Sequence, residues 1–279
     1  MKKISRRSFL AAAGLSVAAL ALTACGGSSS SVASSVASSA ASSEAASTSA
    51  VAGELATVEA GKLTMATNAA FPPYEMTTDA GEFEGIDIET AQAIADKLGL
   101  ELQIDDMDFD AALLSVQQGK ADIVMAGVTV TDERKAVMDF SDSYATGIQS
   151  IIVPEGSDIA SPDDLAGKKI GTQRGTTGYI YCSDDFGDDN VVAYDDGLTA
   201  VQALNNGQVD AVVIDNAPAQ EFIAANPGLK ILDTSYAEED YAIGMAKGSS
   251  LEDAVNAALK ELKADGTLQS IVDKYITAE

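Results

Sequence analysis

Two short segments concentrate groups that could bind an anion. Thr129–Arg134 is a hydroxyl-rich turn that leads into a helix start and holds one arginine. Gly171–Gly178 is rich in backbone N–H and hydroxyl donors, but it lacks the residue order and the lysine of a phosphate-binding P-loop. Such donors suit a carboxylate, because a guanidinium can grip both carboxylate oxygens in a fork.

A hydrogen-bond acceptor follows another apolar segment. Asp215 comes directly after Val209–Ile214, which predicts a buried strand, and its carboxylate could accept from an ammonium group. In doubly wound sheets, ligands bind beyond the carboxyl ends of the strands, which are predicted here at Ala126–Gly127 and at Asp215. Donors for a carboxylate and an acceptor for an amine together describe a site for an α-amino acid.

The composition excludes several classes of function. The chain has 279 residues, with 17 Lys+Arg against 43 Asp+Glu, a net charge of −26 and no His. This charge repels phosphates and anionic lipid headgroups, so we expect no nucleic-acid partner. The lack of His removes most zinc and haem sites and the Ser/His and Cys/His nucleophile pairs, so any catalysis would have to rest on carboxylates, Lys or Tyr. We expect no metal, no cofactor and no catalytic residues.

The N-terminus has the features of an export signal. Residues 1–24 combine four basic residues with an apolar stretch too short to span a bilayer comfortably. Leu22–Cys25 resembles the lipobox of bacterial lipoproteins, which predicts lipidation of Cys25 and anchoring to the outer face of the cytoplasmic membrane. A plain cleaved signal is the alternative, and twin-arginine export stays open for Ser5–Leu10. The Ser/Ala-rich residues 25–53 predict a disordered tether.

The rest of the chain alternates strands and helices, which predicts sheets covered on both faces. The predicted strands are Lys62–Thr67, Glu101–Asp105, Ala121–Met125, Ile148–Val153, Lys169–Thr172, Val191–Tyr194, Val209–Ile214 and Tyr241–Ala246. The predicted helices are Ile86–Leu98, Asp110–Gln118, Thr177–Cys182, Leu198–Asn206, Ala217–Ala225, Leu251–Lys263 and Leu268–Ile276. Gly119 and Asp122 recur as Gly207 and Asp210, 88 residues later, within two helix–glycine–strand units. The repeat supports two lobes.

A set of motifs, in order, resembles the family 3 bacterial extracellular solute-binding proteins, the amino-acid receptors of ABC importers. The resemblance covers about Lys62 to Tyr275. Its motifs are Ala66–Glu75, Gly85–Glu89, Phe109–Asp110, Gly119–Asp122, Thr129–Arg134, Asp139–Ser141, Gly175–Thr177 and Asp210–Asp215.

The resemblance implies an α/β, two-lobed periplasmic-binding-protein-like fold, with each lobe a mostly parallel sheet flanked by helices. We expect residues 54–146 with 247–279 to form the first lobe and residues 147–246 the second. Two crossings, near Ala145–Gln149 and Tyr241–Lys247, are expected to form a hinge. Closing around the ligand would then present a surface to a membrane permease.

The resemblance also implies a role for each site residue. Arg134 is expected to clamp the ligand α-carboxylate with Thr129 and Thr177, and Asp215 to accept from the α-ammonium with groups around Ala126–Thr129. The predicted ligand-binding set is Asn68, Phe71, Phe109, Ala126, Gly127, Thr129, Arg134, Gln173, Thr176, Thr177 and Asp215.

Two phenyl rings and two amides are expected to contact the ligand side chain. The resemblance puts Phe71 and Phe109 on either side of it, Asn68 at its tip and Gln173 in the wall. Asn68 replaces an Asp of some relatives that faces cationic or amide side chains. We therefore favour a polar neutral ligand such as glutamine, unless Arg174 turns inward and favours an acidic one.

Alternatives remain open at this stage. Arg134 could be a solvated helix charge, Asp215 and the two threonines helix caps, the two phenylalanines core residues and Asn68 a turn residue. Glu75, Asp87 and Asp110 are interpreted as caps or turn acceptors. A cyclohexadienyl or arogenate dehydratase on this fold would need a poised acid and base. A free-standing amino-acid sensor is the other alternative, although such sensors usually continue into a transmembrane helix and this sequence stops at Glu279.

Overall fold

The computed structural model describes residues 55–276, so the predicted signal peptide and tether, residues 1–24 and 25–53 with Cys25, lie outside the described residues. The strands are β1 (Lys62–Thr67), β2 (Ala70–Phe71), β3 (Glu75–Thr77), β4 (Phe83–Glu84), β5 (Glu101–Asp106), β6 (Ile123–Val124), β7 (Met138–Phe140), β8 (Ala145–Pro154), β9 (Ile170–Gln173), β10 (Val191–Tyr194), β11 (Ala211–Asp215), β12 (Leu229–Ile231), β13 (Ala237–Tyr241) and β14 (Gly244–Ala246). The helices are α1 (Ile86–Leu98), α2 (Phe109–Gln117), α3 (Asp132–Val137), α4 (Thr177–Phe186), α5 (Gly197–Asn205), α6 (Asn216–Ala225), α7 (Glu252–Ala264) and α8 (Thr267–Tyr275), with short 3-10 helices at Pro162–Leu165 and Asp188–Asn190.

Two mixed sheets organise the protein and confirm the predicted two-lobed α/β fold. In the first sheet, β5-β1-β6-β14-β7, β1 runs parallel to β5 and β6, and β14 runs antiparallel to β6 and β7. In the second, β10-β9-β11-β8-β12, β9 runs parallel to β10 and β11, while β8 runs antiparallel to β11, β12 and β13. Each sheet is therefore parallel on one side only, rather than mostly parallel as expected.

The 88-residue sequence repeat corresponds to a repeat in structure. Gly119 and Gly207 follow α2 and α5 with φ of 66° and 67°, a conformation that favours glycine. The carboxylate of Asp122 accepts from the backbone N–H of Thr64 at 2.8 Å, and that of Asp210 accepts from Lys169 at 2.8 Å. Each unit thus joins a helix to a buried strand through the same turn and the same hydrogen bond.

The predicted single strand at Tyr241–Ala246 is wrong. The chain changes sheet inside it, because Tyr241 ends the pairing of β13 with β8 and Gly244 begins the pairing of β14 with β6 and β7. The three-stranded sheet β2-β3-β4 and strands β7 and β12 are also absent from the sequence prediction. These strands are two or three residues long, too short for an alternating pattern to identify.

The chain passes between the two sheets twice within residues 55–276. The first passage follows β7 at residues 141–144, and the second lies between β13 and β14 at residues 242–243. We therefore propose lobe limits at these passages, in place of those expected at 146/147 and 246/247. In this part of the chain, no helix is both long and apolar enough to span a membrane.

We predict that Leu63→Ala lowers the free energy of unfolding by about 2–5 kcal/mol, because Leu63 on β1 is fully buried and the truncation leaves a cavity. Leu114→Ala on α2 is the control, since this leucine is 49% exposed and its loss should cost about 0.5 kcal/mol or less. Urea unfolding measures both values. Equal losses would show that β1 is not part of the core.

Candidate functional site

A cavity opens where strands of both sheets end. From the first sheet, residues 126–129 follow β6; from the second, Gln173 ends β9, residues 174–177 follow it, and Asp215 ends β11. The cavity is lined by Phe71, Phe109, Ala126, Gly127, Thr129, Arg134, Gln149, Gln173, Thr176, Thr177, Val213, Ile214, Asp215 and Tyr241. The structure therefore brings together all the predicted ligand-binding residues except Asn68.

Arg134 is a buried cation at this cavity and not a solvated helix charge. It lies in the first turn of α3, where the Thr131 hydroxyl caps its backbone N–H, and its side chain packs over the Phe109 ring with Cζ 5.4 Å from the ring centroid. Nη1 donates to the Thr129 carbonyl at 2.8 Å, and Nη2 donates to the Gly175 carbonyl at 3.1 Å. Burial lowers the pKa of Arg134, and the negative charge of Glu239 opposes this shift.

Asp215 is both a helix cap and a buried acceptor. Its Oδ1 accepts from the backbone N–H of Ala217 at 3.4 Å at the start of α6, and its Oδ2 accepts from the Tyr241 hydroxyl. Burial raises the pKa of Asp215 to about 7, although the hydrogen bond from Tyr241 acts in the opposite direction. The capping alternative and the binding interpretation are thus compatible.

Gly147 allows Asp215 and Tyr241 to meet. A Cβ on Gly147 would lie 2.5 Å from Oδ2 of Asp215 and 2.6 Å from the Tyr241 ring. Such distances are far inside van der Waals contact, so a larger residue would push the pair apart. Glycine in the interior of a strand is the sequence signal for such an approach.

A buried carboxylate, that of Asp87, stabilises the turn after β6. Gly127 has φ of 54°, and its N–H donates to Oδ2 of Asp87 at 2.9 Å. Burial raises the pKa of Asp87 to about 6 and that of the neighbouring Glu75 well above its usual range. Asp87 is therefore an acceptor for a turn, as interpreted from the sequence.

Glu239 connects the two sides of the cavity and was missed by sequence reasoning. It is 7% exposed on β13, and its Oε2 accepts from the hydroxyls of Thr129 and Thr177 at 3.1 and 2.9 Å and from Nε2 of Gln149 at 3.0 Å. Side chains alternate along a strand, so Glu239 and Tyr241 share a face of β13. That alternation was the available signal, but three of the five residues of β13 are acidic, so the segment shows no alternation of apolar and polar residues that would identify a strand.

Asn68 lies beside the cavity and bridges to its wall. Its Nδ2 donates to the Met107 carbonyl at 2.9 Å, and its Oδ1 accepts from Nε2 of Gln173 at 2.8 Å. Thr176 lines the cavity, but its hydroxyl caps α4 and donates to the Gln173 carbonyl. Arg174 faces outward, with a half-exposed side chain 3.3 Å from Asp195.

Residues 63–278 match the model of the bacterial extracellular solute-binding proteins, family 3. The chain belongs to this family. The match spans both sheets and every residue of the cavity, so the site described above lies wholly within the family domain. Among residues 55–276, no group of three or more His, Cys, Asp or Glu side chains is arranged to hold a metal ion.

Individual relatives of the family 3 protein are named for binding amino acids. The L-cystine-binding protein TcyJ of Escherichia coli is 33% identical over 79% of this chain and 85% of its own. The arginine-, lysine-, histidine-binding protein ArtJ of Geobacillus stearothermophilus has a TM-score of 0.75 at 34% identity, covering 78% of this chain and 96% of its own. An ancestral arginine-binding protein bound to glutamine has a TM-score of 0.75 at 41% identity, covering 79% and 100%. All three of these relatives are named as binding proteins.

We predict that Asp215 of this family 3 protein titrates near pH 7. Tyr241→Phe should raise the pKa of Asp215 further, because the variant loses the hydroxyl that stabilises the carboxylate. Carboxyl-carbon NMR of ligand-free protein measures the titration, with Asp215→Asn to assign the signal. Tyr236→Phe is the matched control, since it removes a hydroxyl that donates to Asp185 instead. A pKa near 4 for Asp215 would contradict its burial.

Proposed function

We propose that this protein is a membrane-anchored, extracytoplasmic lipoprotein that captures an L-amino acid in the cavity between its lobes and delivers it to the permease of an ABC importer. The observation that carries the proposal is the charge arrangement. Arg134 and Asp215 are buried, belong to different lobes, and are the two charged residues among those that line the cavity. This is the arrangement that a zwitterion requires.

The α-carboxylate is assigned to the Arg134 guanidinium. Its two carbonyl partners, Thr129 and Gly175, lie on opposite sides of the cavity, so the guanidinium already spans the gap between lobes. A carboxylate taken out of water is costly unless it is paired, and a guanidinium offers it paired N–H donors. The α-ammonium is assigned to Asp215, whose ionised form would pair with it.

The ligand side chain is assigned a neutral polar identity, with glutamine preferred. Phe71 and Phe109 supply rings, while Gln173 supplies an amide next to the Asn68 bridge. Arg134 and Asp215 are both engaged by the ligand backbone in this proposal, and Arg174 faces outward, so no other charged residue lines the cavity to pair with an ionic side chain. Relatives are named for binding cystine, histidine or arginine, so the ligand side chain differs among members of the family.

Closure follows from the division of the site between lobes. Neither lobe alone supplies both Arg134 and Asp215, so a ligand would bind the closed form better and shift the population toward it. The bridge between Asn68 and Gln173 and the contact of 3.4 Å between the Thr129 and Thr177 hydroxyls link the sides of the cavity in the same way. We propose that the closed lobes form the surface that the permease recognises, and that the protein binds its ligand without catalysing a reaction.

For residues 54–279, refolded to remove bound ligand, we predict a Tm increase of several degrees with one or a few of the twenty amino acids, including glutamine. At about 100 times Kd, ligand binding adds about 2.7 kcal/mol of stability. Arg134→Ala and Asp215→Ala should each weaken binding at least tenfold while the protein stays folded. Arg174→Ala, an exposed arginine beside the cavity, should bind normally.

A panel in which no amino acid raises Tm would overturn the amino-acid assignment. Turnover of prephenate or arogenate in the same samples would favour the dehydratase alternative instead. Near-normal binding by Arg134→Ala would break the zwitterion model even if the panel succeeds.

Cys25→Ser is predicted to release the exported protein from the membrane, because the lipid proposed on Cys25 is its anchor. Fractionation of cells and labelling with a radioactive fatty acid measure the change. Cys182→Ala is the matched control: this buried cysteine lies in the folded domain, and its variant should stay labelled and membrane-bound. If the Cys25→Ser protein took up as much fatty-acid label as the unchanged protein, Cys25 would not be the site of the lipid anchor.

A further inference from the structure

Glu239 is placed to control the hydroxyl groups of the cavity. One of its carboxylate oxygens receives hydrogen bonds from Thr129, Thr177 and Gln149, at 3.1, 2.9 and 3.0 Å. A carboxyl oxygen that accepts from three donors is the acceptor expected of an ionised carboxylate. Thr129 and Thr177 line the cavity from opposite lobes, so a single buried group reaches both.

A hydroxyl group carries one proton and two lone pairs, so it donates in only one direction at a time. Thr129 and Thr177 each direct that proton to Glu239 rather than to one another, because their mutual distance of 3.4 Å is longer and hydrogen bonds to an ionised group are about twice as strong as neutral ones. Neither hydroxyl can then also donate to a ligand carboxylate. What each of them can still offer to a ligand is an oxygen lone pair.

We propose that Glu239 is a positioning residue that sets the polarity of the cavity, by holding the Thr129 and Thr177 hydroxyls as acceptors for the α-ammonium of the ligand. This inference rests on the proposed amino-acid function and deepens it. It assigns the α-carboxylate to Arg134 and to backbone N–H groups, and it removes the two hydroxyls from the carboxylate clamp that the family resemblance implied.

The backbone around Glu239 supports a fixed position. Val130 N–H donates to the Asp240 carbonyl at 3.0 Å, and Ala242 N–H donates to the Val128 carbonyl at 3.1 Å, which joins the Thr129 segment to the end of β13. The other oxygen of Glu239 is buried and has no hydrogen-bond partner within residues 55–276. The Arg134 guanidinium already opposes the charge of Glu239, and a ligand ammonium would add a second cation near this carboxylate.

Glu239→Gln tests the proposal, because its amide can donate to a threonine hydroxyl and turn that proton toward the ligand. The probes are the amino acid with the largest shift in the panel and the same molecule without its α-amino group; for L-glutamine this is 4-carbamoylbutanoate. Calorimetry, with competition for weak binding, should show at least tenfold weaker binding of the amino acid and less than threefold change for the des-amino acid. Glu238→Gln is the matched control, since Glu238 is exposed on the opposite face of β13 and should change neither.

A cycle with Thr177→Val separates an effect through the hydroxyls from a direct effect of charge. Selectivity here is the ratio of the affinity for the amino acid to that for the des-amino acid. If Glu239 acts through the threonine hydroxyls, Glu239→Gln reduces this ratio less in the Thr177→Val background than in the unchanged protein. Without ligand, the sum of the Tm losses of the two single variants should also exceed the Tm loss of the double variant.

Each other outcome has a distinct meaning. Equal weakening of both probes by Glu239→Gln, or the same loss of selectivity in either background, would overturn the positioning role and leave the amino-acid function standing. If no amino acid binds the unchanged protein, the proposed function fails and this inference fails with it.

Discussion

The burial of opposite charges at the junction of two lobes is the constraint on which the site depends. Arg134 and Asp215 are both nearly inaccessible to water, and each would be unfavourable there without polar partners. Arg134 finds backbone carbonyls on both sides of the cavity, and Asp215 finds the Tyr241 hydroxyl and a helix N-terminus. Arg134 is therefore fully paired only when elements of both sheets are present, whereas the partners of Asp215 lie on the second sheet and the helix that follows β11.

The passage of the chain between sheets supplies many of these partners. Between β13 and β14 the backbone leaves the second sheet and enters the first, and the last residues of β13 include Glu239 and Tyr241. Both side chains reach groups at the cavity: Glu239 reaches Thr129 and Thr177, and Tyr241 reaches Asp215. Any rearrangement of the lobes about this passage would act directly on the hydrogen bonds of the site.

Glycine positions show how closely the backbone must approach the site. Gly127 presents its N–H to Asp87 in a left-handed conformation, with the rings of Phe71 and Tyr241 3.0 and 3.1 Å from where a Cβ would lie. Gly147 leaves space for Asp215 and Tyr241. At both positions a side chain would occupy volume that residues lining the cavity already fill, so glycine is needed there for the cavity to keep its shape.

The sequence alone determined most of the longer elements, and its family resemblance pointed to most of the residues that line the cavity. Helical periodicity predicted α1 over its observed range, and the motif around Arg134 pointed to an arginine that could bind a carboxylate after a strand end, because these signals depend on neighbours in the chain. Tertiary structure decided which groups satisfy one another: that Glu239 takes the threonine protons, that Asn68 bridges to Gln173, and that Arg174 faces outward. These pairings join residues that are far apart in sequence, and local patterns carry no information about which distant group a side chain will meet.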